Sequence, residues 1–162
     1  MELHTQDLNQ LSQEKRNWLF MILWRIYTTE CSASEEEHND LMRAMSWVRY
    51  SDRTKLAEMA GYLPEDFYGS KPADLNFEES YLMWVNAIQI VTEKGTVNLS
   101  TKMLIEKVGK ILGFHKEALP EAMKLASQMA FVKTEIEKLR HSLRPYYQRR
   151  TDDQPAKAKV KA

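Results

Sequence analysis

Glu35 and His38 stand three residues apart, a spacing that puts a carboxylate and an imidazole one turn apart on the same helix face. Di-iron bundles use two such pairs together with two further glutamates that project inward. This chain has one pair. The nearest second arrangement, Glu137 with His141, is spaced by four residues. The acidic run 35–37 also falls where a helix is expected to begin, and negative charge there meets the positive end of the helix dipole. A solvated helix start therefore explains the same residues. Cys31 is the single cysteine. Its place just before a helix start lowers a thiol pKa, while Glu30 and the acidic run raise it, so the neighbourhood favours a small buried turn residue over a reactive thiol. Trp18, Trp24, Trp47 and Trp84, with nine methionines, suit either a ligand pocket or an ordinary helical core. Tyr146, Tyr147, Arg149 and Arg150 interleave rings with cations and are candidate partner-binding residues, for RNA or an acidic surface. The basic preference of a helix C-terminus accounts for the arginines equally well. No G-x-S-x-G, glycine-rich phosphate loop or H-E-x-x-H occurs. No catalytic or cofactor-binding residue is assigned, and the chain reads as a non-enzyme.

The elements that would carry these residues are helical. Residues 12–29 form a first helix whose segment 18–27, WLFMILWRIY, is apolar almost all round and so belongs inside. Ser34 with Glu37 has the capping-box spacing, which starts a second helix at Glu35, with Leu41, Met42, Met45 and Val48 as its stripe. A short helix over 52–60 ends on Gly61 as a left-handed stop. Asn76 with Glu79 repeats the capping box and opens a helix to about residue 93, again apolar nearly all round. A fifth helix spans about 100–112. A sixth starts near Lys116, carries Pro120 in its first turn, and follows the stripe Leu119, Met123, Ala126, Met129, Ala130, Val132, Ile136 and Leu139 until Pro145 stops it. The expected division is a flexible N-terminus over 1–11, a helical domain over 12–143 and a basic disordered tail over 144–162.

Composition agrees with one all-α domain. The chain has 162 residues, 43% of them apolar, and only five glycines and five prolines, too few for a turn-rich β architecture. Acidic and basic residues balance at 23 each, although residues 143–162 carry a local +4. A neutral whole with a basic tail argues against a dedicated nucleic-acid binder, which carries its positive face on the folded domain. The polar, acidic start does not read as a signal peptide, and the apolar run 18–27 is about half of what spans a bilayer. One cysteine allows no intrachain disulfide and fits a reducing compartment. The expected location is the cytoplasm.

The first and second helices match the fourth and fifth at an offset of 64 residues: Leu19 falls on Met83, Phe20 on Trp84, Trp24 on Ile88, Cys31 on Gly95, Ala33 on Val97 and Leu41 on Ile105. Each unit is an apolar helix, a short turn with one small apolar residue, and an amphipathic helix, which predicts a pseudo-symmetric bundle. Residues 93–114, EKGTVNLSTKMLIEKVGKILGF, together with 29–45, TECSASEEEHNDLMRAM, resemble the TerB-like domain family, which includes tellurite-resistance TerB and the N-terminal domain of the DjlA co-chaperone. The resemblance covers about residues 15–140. It rests on Gly95, Val97, Ile105, Val108 and the sequence Leu112, Gly113, Phe114, and in the first copy on Ala33, Ser34, Glu37 and Leu41. It implies a helical domain whose acidic positions form a metal or interaction site. Glu30 and Glu37 match those positions, whereas Lys94 and Thr101 replace an aspartate and a glutamate, and Cys31 replaces a glycine.

Three functions follow as expectations. The first is a non-enzymatic protein-interaction module of a bacterial stress-response or envelope-associated complex, binding a protein partner or forming a homo-oligomer, with the long sixth helix as its surface. The second is a protein that binds a divalent metal or a ligand through Glu30, Glu35, Glu37 and His38. The third is a nucleic-acid-associated protein using the basic tail.

Overall fold

The structure, a computed structural model, describes residues 8–64 and 71–161, with side chains as far as residue 147. The described chain is an all-α bundle of six helices, with no strand among those residues: α1 Gln13–Thr29, α2 Glu35–Ala44, α3 Tyr50–Gly61, α4 Phe77–Val91, α5 Leu99–Ile111 and α6 Leu119–Lys161, the last preceded by a 3-10 turn over Lys116–Ala118.

Four helix starts are fixed by side-chain caps. Ser12 accepts the Lys15 N–H, Ser34 that of Glu37, Asn76 that of Glu79 and Asn98 that of Thr101. At Ser34/Glu37 and Asn76/Glu79 the glutamate also reaches back to the cap N–H, which completes both capping boxes. The caps form two sets at the sequence offset of 64, Ser12 with Asn76 and Ser34 with Asn98. Packing follows the same exchange: α1 lies against α5, and α2 against α4. Lys15 and Glu79, the third helical residues of α1 and α4, meet in an ion pair at 2.9 Å, with Asp74 at 3.2 Å from the same ammonium.

α1 and α4 supply the middle of the core. Leu19, Phe20, Ile22, Leu23 and Ile26 of α1 are fully buried, as are Met83 and Ala87 of α4. Arg25, the one charge in the apolar run, is half-buried because it has work at the end of α3. Its guanidinium donates to the carbonyls of Ala60, at 3.0 Å, and Leu63, both freed where that helix stops.

Local patterning misplaces three boundaries. α2 ends at Ala44 rather than near residue 48, because Arg53 reaches back from α3 to the Val48 carbonyl at 2.8 Å and the Met42 carbonyl at 3.3 Å, holding the connection as a turn. Gly61 is the last residue of α3 and not a left-handed stop; the positive-φ glycines among the described residues are Gly95 and Gly113. α6 passes Pro145, where a stop is expected, and continues to Lys161. Proline there removes one backbone bond on a fully solvated helix, so water can satisfy the freed carbonyl.

α6 is attached along one face and free beyond it. Ala122, Ala126 and Ala130 are buried on the body, small enough to let the helix approach closely. Thr134 then donates to the Gly95 carbonyl at 3.2 Å. A side chain at Gly95 would meet the Thr134 hydroxyl at 2.6 Å, and the φ of 79° there also demands glycine. From residue 135 to 147 every residue is exposed.

Candidate functional site

A cleft of about 490 Å³ lies between α2, the C-terminal end of α4, the α4–α5 turn and Lys133 of α6. Leu41, Ile90 and Val91 give it apolar walls, and Glu37, Asp40, Lys94 and Lys133 stand at its edge. Glu37 and Thr101, one pair of the 64-residue repeat, both line it.

Apart from Glu37, the edge charges are held in ion pairs. Lys94 forms ion pairs with Asp40 and, at 3.5 Å, with Glu36, bridging the α4–α5 turn to α2. Lys133 pairs with Glu93 at 3.0 Å. Arg43 also reaches Asp40. The Lys94 ammonium, followed by the Arg43 guanidinium, holds the Asp40 carboxyl below its ordinary value of 3.8. In return Asp40 and Glu36 raise Lys94 above 10.5. A lowered carboxylate pKa contributes stability that is complete above the ordinary value and is lost as pH falls through the folded one. Lys94→Met should therefore flatten the acid limb: below about pH 4, the wild-type Tm falls more steeply than that of the variant. Parallel slopes in thermal melts across that range would show that the bridge contributes nothing.

The four candidate metal ligands are not gathered into one site. Glu30 pairs with Lys107 at 3.0 Å. Glu37 is spent on the α2 capping box and on the Tyr27 hydroxyl, which donates to it at 3.1 Å. Glu35 is exposed on the first turn of α2. His38 is half-buried between the rings of Trp24 and Tyr27, with centroids 6.1 Å and 6.3 Å away. No group of three or more His, Cys, Asp or Glu suited to a metal occurs among the described residues. In the second copy, the two positions that the resemblance would make acidic hold Lys94, engaged in the bridge above, and Thr101, a buried residue whose hydroxyl donates to the Asn98 carbonyl at 2.7 Å. Glu37→Ala should cost about 1–2 kcal/mol, the worth of a cap and one further hydrogen bond. Added Zn²⁺ or Mg²⁺ should shift neither melting curve; a metal-dependent rise in Tm lost in the variant would restore the metal reading.

Cys31 is buried, and its thiol donates to the Ser100 carbonyl at 3.5 Å. Burial, reinforced by Glu30 and Glu37, pushes its pKa up to about 11, so it is protonated and a poor nucleophile at neutral pH. Burial and Glu37 likewise push the Tyr27 phenol up. The tryptophans divide: Trp18 and Trp84 are buried in the core, Trp47 lines the cleft and donates to the Arg16 carbonyl at 3.3 Å.

Tyr146 and Tyr147 are exposed on α6, while the side chains of Arg149 and Arg150, and of most of the expected basic tail, lie outside the described residues. The sixth helix was expected to supply a contact surface, and the structure adds which part of its stripe is exposed, from Val132 onward. Its spacing was visible, but spacing does not say whether a stripe faces the body. No helix among the described residues is long and apolar enough to cross a membrane. Compared with known proteins, the chain matches no family model, no curated protein and no solved structure.

Proposed function

We propose that the chain is a non-enzymatic helical interaction module that uses α6 as its contact element. One observation carries this reading. The last contact of α6 with the body is at Thr134, and around and beyond it Val132, Ile136, Leu139 and Leu143 are exposed by 40%, 49%, 59% and 54%. Apolar side chains repeated along one face of a projecting helix are what a helix-mediated contact buries. The body supports the same reading from the other side, since its cleft charges are engaged in ion pairs or, for Glu37, in a cap and a tyrosine contact, and burial holds its thiol's pKa up. The resemblance to TerB-like domains supports membership of a bacterial stress-response or envelope-associated complex, with the cytoplasm as its setting.

The test is a photo-reactive residue at Leu139, compared with one at Glu106 on the exposed side of α5. Light should give cross-linked protein from position 139 and none from position 106. Absence of any adduct from position 139 would remove the interaction reading.

A further inference from the structure

We propose that the partner of α6 is a second copy of this chain, and that the two helices pair as a parallel, in-register coiled coil. The inference rests on the interaction reading above and names its partner. Leu125, Met129, Val132, Ile136, Leu139, Leu143 and Tyr146 follow alternating steps of four and three residues. That is the a/d pattern of a heptad repeat, with Met129, Ile136 and Leu143 at a and Leu125, Val132, Leu139 and Tyr146 at d. Leu125 and Met129 still touch the body, and the seam is exposed from Val132 onward. Isoleucine at a followed by leucine at d, as at 136 and 139, suits two strands.

The flanking charges choose both the partner and its direction. Lys133 and Arg140 occupy e positions, and Glu135 and Ser142 occupy g positions. In a parallel in-register pair, g faces the e position five residues on in the other strand. Glu135 of each copy then meets Arg140 of the other, giving two opposite-charge contacts by symmetry. In an antiparallel pair e faces e, which sets Arg140 against Lys133 or against another Arg140. In the described chain Glu135 and Arg140 make only exposed contacts three residues away, with Lys138 at 3.2 Å and Glu137 at 3.4 Å. Such contacts are weak and are readily exchanged for contacts across the pair. The surface that docks on the body runs through Ala122, Ala126, Ala130 and Thr134, at a, e, b and f, so it turns away from the seam along the helix and leaves the seam clear from Val132 onward. Pro145 falls at c, on the outside of the pair, so its ring does not enter the seam.

Sedimentation equilibrium of the full chain, with circular dichroism to confirm helicity, tests this. The wild type should show a reversible monomer–dimer equilibrium. Ile136→Asp or Leu139→Asp should raise the dissociation constant by on the order of a hundredfold, because each places two carboxylates in the seam. Glu135→Arg and Arg140→Glu should each raise it roughly tenfold, and the double swap should return it to within about threefold of the wild type. These two substitutions change only exposed side chains, so they read pairing without touching the core. If Arg140→Glu alone tightens the dimer, the strands are antiparallel and the proposal is overturned. A chain that stays monomeric at every concentration also overturns it. If position 139 then still cross-links to a different protein, the interaction reading survives without self-pairing; if it cross-links to nothing, both fail.

Discussion

Gly109→Ala will destabilise the protein by roughly 1–3 kcal/mol, the usual cost of forcing extra volume into a packed interface. The sign runs against helix propensity, which favours alanine over glycine by about 1 kcal/mol in a helix interior. The reason is Trp84. A Cβ at position 109 would lie 2.4 Å from its Cζ2 and 2.6 Å from its Cε2. The ring cannot swing aside cheaply. Its Nε1 donates to the Ile105 carbonyl at 2.9 Å, and its face stacks on Phe114 with centroids 4.5 Å apart. Relief requires either breaking that buried hydrogen bond or spreading α4 from α5. Urea titration followed by tryptophan fluorescence measures the loss. Trp84→Phe removes the atoms that clash, so Gly109→Ala should cost less in that background than alone. If Gly109→Ala is as stable as the wild type, Trp84 does not pack against the α5 backbone at Gly109.

Phe20→Ala should have the larger effect, about 3–5 kcal/mol, the usual cost of removing a fully buried aromatic ring. Phe20 is fully buried on α1, stacked near Trp24 at a centroid distance of 6.5 Å, and α1 is the helix against which α2, α3 and α5 all pack. Typical domains retain only about 5–15 kcal/mol in total, so this one truncation removes a large share. Leu139→Ala provides the contrast. Both side chains belong to apolar stripes that look alike in sequence, yet Leu139 is 59% exposed. In dilute, monomeric protein its truncation should stay within about 0.5 kcal/mol of neutral. Thermal melts of the two variants at one low concentration separate body from arm. Equal losses would mean that α6 folds back onto the core.

The hydrogen-bonded starts of α2 and α4 were legible because a capping box is local. A serine or asparagine and a glutamate three residues on contain every atom of both bonds. The burial of 18–27 and of the middle of α4 was legible for a related reason, since a helix with no polar face has no stable place at a surface. The 64-residue offset was legible too, as matched residue types.

Other features depend on partners distant in the chain. Arg25 interrupts an apolar run for no reason visible nearby, and its acceptors lie 35 and 38 residues away. Lys94 reads as a lost carboxylate until α2 brings Asp40 and Glu36 against it. Glu30, Glu35, Glu37 and His38 are neighbours along the chain, but the fold sends their side chains to a lysine on α5, to solvent, to a cap and to a pair of aromatic rings. The sequence by itself determined six helices, two of their caps and which two lie inside, because i to i+3 hydrogen bonds and the lack of a polar face are legible over a few turns. Only the tertiary structure decided where the charges pair and where α6 leaves the body, because both depend on which surfaces meet after the hairpins pack.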